Sequence, residues 1–241
     1  SANGTLLTRT GEDFVVGLRT VQWVDGEDSN NDGVPDNFDD LANNNTAEHF
    51  TGTVTLAPQQ RLPAGGTTGA LSTSSVLFDD EGKVNVSLNY DEVGTISINA
   101  QSTYLTDTTV LGQVNNVGRF APSNFALSGS VDAACTASGA FTYFDQPLAD
   151  VSFSLNALNH NGSRTVNYYD GFDKLTNLSL QVEHLGSLLN RLANTSPITW
   201  PQNASAGQIS YADSDIAFSR LSGATLDGAY LDANIVLVAQ S

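Results

Sequence analysis

The chain has 241 residues, 26 acidic against 9 basic for a net charge of −17, a single cysteine and no methionine. That balance argues against nucleic acid or an anionic membrane surface as a partner and leaves divalent cations as the natural counter-charge. Cys135 has no second cysteine with which to form an internal disulfide, and no apolar run approaches the ~20 residues of a membrane-spanning helix, so packed sheets must hold the chain and no membrane insertion is expected. The absence of methionine even at position 1, without any signal-peptide pattern, is read as a piece excised from something longer.

Ser, Thr, Asn and Gly abound, β-branched residues come in short runs, and leucine-rich helical windows are nearly absent, which together predict an all-β fold. Leu6-Leu7, a turn at Thr10-Gly11-Glu12-Asp13 and the run from Phe14 to Val21 read as a strand pair. Directly after it, Asp28-Ser29-Asn30-Asn31-Asp32-Gly33-Val34-Pro35-Asp36-Asn37-Phe38-Asp39 has the spacing of a calcium loop. Oxygen side chains stand at positions 1, 3, 5, 9 and 12 (Asp28, Asn30, Asp32, Asp36, Asp39), Gly33 takes the sharp turn at position 6, and the Val34 carbonyl supplies position 7. A hard cation seeking six to eight oxygens at about 2.3–2.6 Å fits such alternation, and the carboxylates would repel one another without it. A solvated Asp/Asn/Gly hairpin loop has the same composition and is the competing reading. Because a strand precedes the loop, the expectation is a calcium loop between strands, of thrombospondin or dockerin type, rather than an EF-hand.

Thr53 to Leu56 resumes a strand, Arg61 to Ala70 is Pro/Gly-rich and reads as an exposed loop, and the alternations Val84/Val86/Leu88 and Ile96/Ile98 read as half-buried strands. Glycine-turn-strand patterns recur in the second half at an offset of about 134–140 residues. They predict two tandem immunoglobulin-like β-sandwich domains, 1–117 with the calcium loop and 118–241, although such patterns also recur by chance in all-β chains. Only Leu185, Leu188, Leu189 and Leu192 have helical spacing, predicting a short amphipathic helix within Glu183 to Leu192.

Gly118-Arg119-Phe120-Ala121-Pro122-Ser123-Asn124-Phe125 forms a G-R-F-x-P-x-x-F element. Further motifs are Tyr90-Asp91-Glu92-Val93-Gly94, Ala134-Cys135, Phe141-Thr142-Tyr143 with Gln146-Pro147, and Asn156-Ala157-Leu158-Asn159 with Gly162. Asn167-Tyr168-Tyr169-Asp170-Gly171, Phe218-Ser219-Arg220 and Asp227-Gly228-Ala229-Tyr230 complete the set. In these the chain resembles the MshQ-like domain family, a domain of unknown function linked to biogenesis of the mannose-sensitive haemagglutinin type IV pilus. It departs at Ala229, where the family has proline, and lacks the family's later R-Y-G-R-L motif. The resemblance implies an exported bacterial surface protein, adhesive or pilus-associated, whose partners are other segments of a larger surface protein or pilus and a glycan or host-surface ligand, with no assigned catalytic residues.

Catalytic patterns are missing. His49, His160 and His184 are scattered outside any H-E-x-x-H pair, and there is no G-x-S-x-G, P-loop or G-x-G-x-x-G. A lone Cys135 reads better as a small apolar residue than as a nucleophile, whereas glycosidase carboxylate pairs are too numerous among the acids to test by spacing. Trp23, Trp200 and Tyr168-Tyr169 are either core or sugar-stacking residues. N-x-S/T triplets such as Asn85-Val86-Ser87 and Asn203-Ala204-Ser205 carry no weight in a bacterial protein. The expectation is therefore a non-enzymatic, calcium-stabilised adhesive module, with a carbohydrate-binding module or a subunit of an extracellular filament as alternatives.

Overall fold

The computed structural model describes residues 1–79, 81–104, 108–137, 140–203, 207–223 and 227–240. The Asn203-Ala204-Ser205 triplet lies largely outside them. The described chain is nearly all β: β1 (Thr8–Arg9), β2 (Phe14–Arg19), β3 (Thr51–Leu62), β4 (Ser75–Asp79), β5 (Lys83–Leu88), β6 (Gly94–Tyr104), β7 (Thr108–Ala121), β8 (Asn124–Asp132), β9 (Asp150–Leu158), β10 (Thr176–His184), β11 (Ser187–Leu189), β12 (Leu192–Ala193), β13 (Gln208–Asp213), β14 (Ala217–Phe218) and β15 (Asn234–Gln240). A single 3-10 turn, Asp40–Asn43, interrupts them among the described residues, and none of those residues forms a helix long and apolar enough to cross a membrane.

In the first half a five-stranded sheet in the order β1-β7-β6-β3-β4 faces the pair β2-β5. Period-two alternation builds this layer. Val84, Val86 and Leu88 of β5 point inward between exposed Lys83, Asn85 and Ser87, and meet Phe14, Val16 and Leu18 of β2 over Val54, Leu56, Phe78, Ile96, Ile98 and Phe120. In the second half the sheet β13-β9-β8 contributes Val151, Leu155, Ala157, Ile209 and Tyr211 to a core shared with Leu180, Ile235 and Leu237 from the sheet β11-β10-β15. Tyr168, Phe172, Ile198 and Trp200 close that core.

Several local expectations are corrected. β1 does not pair with β2: it lies parallel to β7, with Thr8 beside Phe120, while β2 pairs antiparallel with β5. The Thr10–Asp13 turn therefore carries the chain from one sheet to the other. Strand β6 is covered on both faces at its start, with Thr95 and Ser97 as buried as Ile96, because this end of the sheet meets the second half and Val93, the residue before it, already belongs to the second core. The helix at Glu183–Leu192 is instead a hairpin. Leu185 and Gly186 both have positive φ (51° and 74°), the geometry of a tight turn between β10 and β11, and Leu185 is 89% exposed. The two halves also differ in their pairing: β2 belongs to a two-stranded sheet, whereas β9 of the second half is the centre of a three-stranded one. Recurrent Gly-turn-strand spacing reports hairpin length and leaves the choice of partner strand open.

Candidate functional site

The Asp-rich segment leaves β2 and is closed at its base. Val21 bridges Thr46, the Gln22 N–H donates to the Asn45 carbonyl at 2.8 Å, and Arg19 Nη2 donates to the Ala42 carbonyl at 2.7 Å. Inside this closure the residues at positions 1, 3 and 5 of the motif are drawn together. Asp28 accepts from the Asp32 and Gly33 N–H groups at 3.2 and 2.8 Å, Asn30 Oδ1 accepts from the Asp32 N–H at 3.0 Å, and Asn30 Nδ2 donates to the Asp32 carboxylate at 3.0 Å. Asp32 also accepts the Val34 N–H at 2.8 Å. Asp36 returns to the start of the loop, where the Ser29 N–H at 3.0 Å holds its carboxyl below the ordinary range. Asp39 is set apart: its N–H bonds Asn37 Oδ1, it stands at the N-cap of the 3-10 turn, and its side chain makes no capping bond there. Among the described residues no group of three or more His, Cys, Asp or Glu side chains is gathered as a metal site.

At the other end of β3, ~40 Å away at the usual rise of a twelve-residue strand, the two halves meet. Glu92, 6% exposed, places its carboxylate where it accepts three backbone N–H groups: its neighbour Val93 at 2.8 Å, and Val166 and Asn167 of the second half at 3.0 and 3.1 Å. Burial pushes its pKa up, with Asp91 adding to the rise and the three donors opposing it. Asn167, fully buried, donates to the Thr67 and Val93 carbonyls and accepts the Thr67 N–H. Tyr90 OH accepts from the Gly69 N–H and donates to Gln60 Oε1, and Asn159 Nδ2 reaches the Asp91 carbonyl at 3.3 Å. Gly69 is required by this close approach, because a Cβ there would lie 2.3 Å from Asp91 Oδ1 and 2.6 Å from Glu92 Cβ. The Arg61–Ala70 segment is therefore no free loop: β3 takes its first two residues, and Pro63 and Thr67 pin the rest. An open cleft of about 440 Å³ runs along the junction between Thr67–Ala70, Asp91 and Asn159–Val166.

A third cluster forms around Arg191. Its guanidinium donates to the Asp227 carboxylate, the Tyr230 hydroxyl and the Ser219 carbonyl, and lies 4.6–5.3 Å from the ring centres of Phe218, Tyr230 and Phe144. Arg191 holds the Asp227 carboxyl below its ordinary range. Trp200 is core, 4% exposed and edge-on to Tyr168 at 4.8 Å, whereas Trp23 is 53% exposed beside the Asp-rich loop. Cys135 is half-buried in a bridge with Phe141.

The sequence motifs thus converge in two groups. Tyr90–Gly94, Asn156–Asn159 and Asn167–Gly171 meet at the junction, and Phe218–Arg220 and Asp227–Tyr230 meet at Arg191, which lay in no motif. Spacing missed Glu92 and Asn167 as partners because they are 75 residues apart in the chain. In comparison with known proteins, residues 1–91 match the family model for the second domain of DUF6701 and residues 92–240 that for its third domain. The boundary at 91/92 falls at the junction, yet β6 and β7 beyond it pair in the sheet of β3. No curated protein and no solved structure matches.

Proposed function

Because the chain belongs to the DUF6701 family, two successive domains of which span it, we propose that it is a calcium-stabilised structural and adhesive module of a bacterial extracellular or cell-surface protein, pilus-associated as its MshQ-like motifs imply. The observation that carries the structural reading is how the motif residues use their polar groups. Glu92, Asn167, Asn159, Arg191 and Asp227 direct them to one another and to backbone, which supports a reading in which the shared residues weld sandwich layers together. In this reading calcium binds Asp28, Asn30, Asp32, Asp36 and the Val34 carbonyl, with Asp39 swinging in or a water replacing it. Extracellular modules of this kind bind calcium at about 10⁻⁴–10⁻³ M, filled outside a cell and empty within it. Many weak contacts presented together on a long exported protein then suffice for adhesion.

The test is incubation of pure protein and calcium with a panel of polysaccharides and peptides. Binding without product formation is expected; reproducible product formation abolished by one carboxylate or Cys135 substitution would overturn the reading. Exposed Trp23 favours carbohydrate binding as a second reading, and a glycan array comparing the natural chain with Trp23→Ala separates the two.

A further inference from the structure

Among the described residues, β8 ends its sheet and pairs with β9 alone. Its nine-residue register is unbroken, whereas the longer free edge of β7 shifts twice against β6 and β15 shifts once against β10. Bulges, lysines and prolines are how natural sheets blunt such edges. β8 has none of these, and its one ionisable side chain is Asp132 at the very end.

The pairing with β9 also decides which way β8 faces. Phe125, Leu127 and Val131 stand opposite Ala157, Leu155 and Val151, so they lie on the core side of the sheet. Their partners on β9 are at most 5% exposed, yet these three are 37%, 53% and 46% exposed. The apolar layer of the second sandwich continues onto β8 with too little above it.

We propose that β8 is a docking edge for a second copy of this chain, paired antiparallel about a two-fold axis through Ser128. That register sets Phe125 against Val131, Leu127 against Gly129, and Asp132 against Asn124 of the other copy. The three-stranded sheet becomes a continuous one of twice the width, and the uncovered apolar residues of both copies come together on one face. Charge selects this occupant. In a chain of net −17, the eleven residues 121–131 carry no ionisable side chain, and neither do Ser152, Ser154 and Asn156 on the outward face of β9. Two copies meet here with least repulsion, while a basic strand would find a single carboxylate to attract it. The inference does not rest on calcium or on adhesion.

Sedimentation velocity on the whole chain from about 1 µM to about 1 mM tests it. A dimer that grows with concentration and strengthens with added salt is expected, since salt screens the acidic bodies from one another. Ser128→Lys places two lysines about 5 Å apart across the axis, on the solvent side of the sheet where folding is undisturbed. It is expected to weaken the dimer at least ~10-fold with an unchanged melting temperature, while Ser210→Lys, on the same outward face of β13, leaves the dimer intact. A chain monomeric at every concentration and salt level overturns the proposal and leaves the edge to a strand of some other molecule. A dimer weakened no more by Ser128→Lys than by Ser210→Lys overturns it too.

Discussion

The Glu92 carboxylate is subject to two opposed effects. Burial disfavours its charge and three N–H donors favour it, with burial the larger, so its folded pKa lies above the unfolded one. Its contribution to stability is therefore whole below the ordinary Glu range and is lost as pH rises through the raised folded value. Asp213 and Asp227, whose pKa values are lowered, act in the opposite sense and lose their contribution as pH falls through their folded values. Glu92→Gln substitutes an NH2 for one accepting oxygen and leaves a buried donor facing it, which is expected to cost about 1–3 kcal/mol. It also removes the titration. Urea unfolding between about pH 4 and pH 8 should therefore show a lower midpoint and a changed pH slope for the variant; parallel curves would mean that the Glu92 pKa is the same in the folded and the unfolded chain.

At the scale of single elements, the Asp-rich loop and the β10–β11 hairpin are each decided by a few positions. The loop gathers Asp28, Asn30 and Asp32 through backbone N–H groups, which holds three oxygen-bearing side chains on one side of the turn. With free calcium at 100 times the dissociation constant, a site present only in the folded chain adds roughly 2.7 kcal/mol. The melting temperature is expected to rise with calcium and fall with chelator, and Asp32→Ala is expected to abolish the difference; a natural chain indifferent to both disproves the site. In the hairpin, Gly186 has positive φ and open space where a Cβ would stand, so Gly186→Ala strains the backbone and nothing else. A loss of about 1 kcal/mol in denaturant unfolding is expected, whereas a helix at this place would be stabilised by the same change.

For the molecule as a whole, the two cores interlock around the junction. Phe120 is buried in the first core and Val93 in the second, although Val93 comes earlier in the chain. A cut at 91/92 takes β6 and β7 out of the five-stranded sheet, leaving β3 with β4 alone on that side. A cut at 117/118 spares those pairings except at the last residues of β7, where Phe120 is lost from the first core. Fragment 1–91 is therefore expected to give an undispersed amide spectrum. Fragment 118–241 should keep dispersion but melt earlier than in the whole chain, having lost Glu92 and Thr67 from Asn167. A well-dispersed 1–91 would show that the first core needs neither β6 nor β7.

The sequence by itself determined what depends on neighbours along the chain. The alternation of Val84, Val86 and Leu88 established a strand with one buried face, and the Asp/Asn/Gly run from Asp28 to Asp36 established a polar loop after β2. Scarce Lys and Arg fixed the acidic character. What tertiary structure alone decided was which distant groups share a space. The leucine spacing at 185–192 looks helical in isolation, but β10 pairs with β15 along its length, so it must end at His184, and Gly186 lets the chain turn back. Thr95 and Ser97 alternate with isoleucines as solvent-facing residues would, yet both are buried at the end of the sheet where the preceding Val93 enters the second core. Glu92 and Asn167 become partners only after both sandwiches have formed, because pattern along a chain records the local period of side chains while burial and pairing depend on which sheets come to face one another.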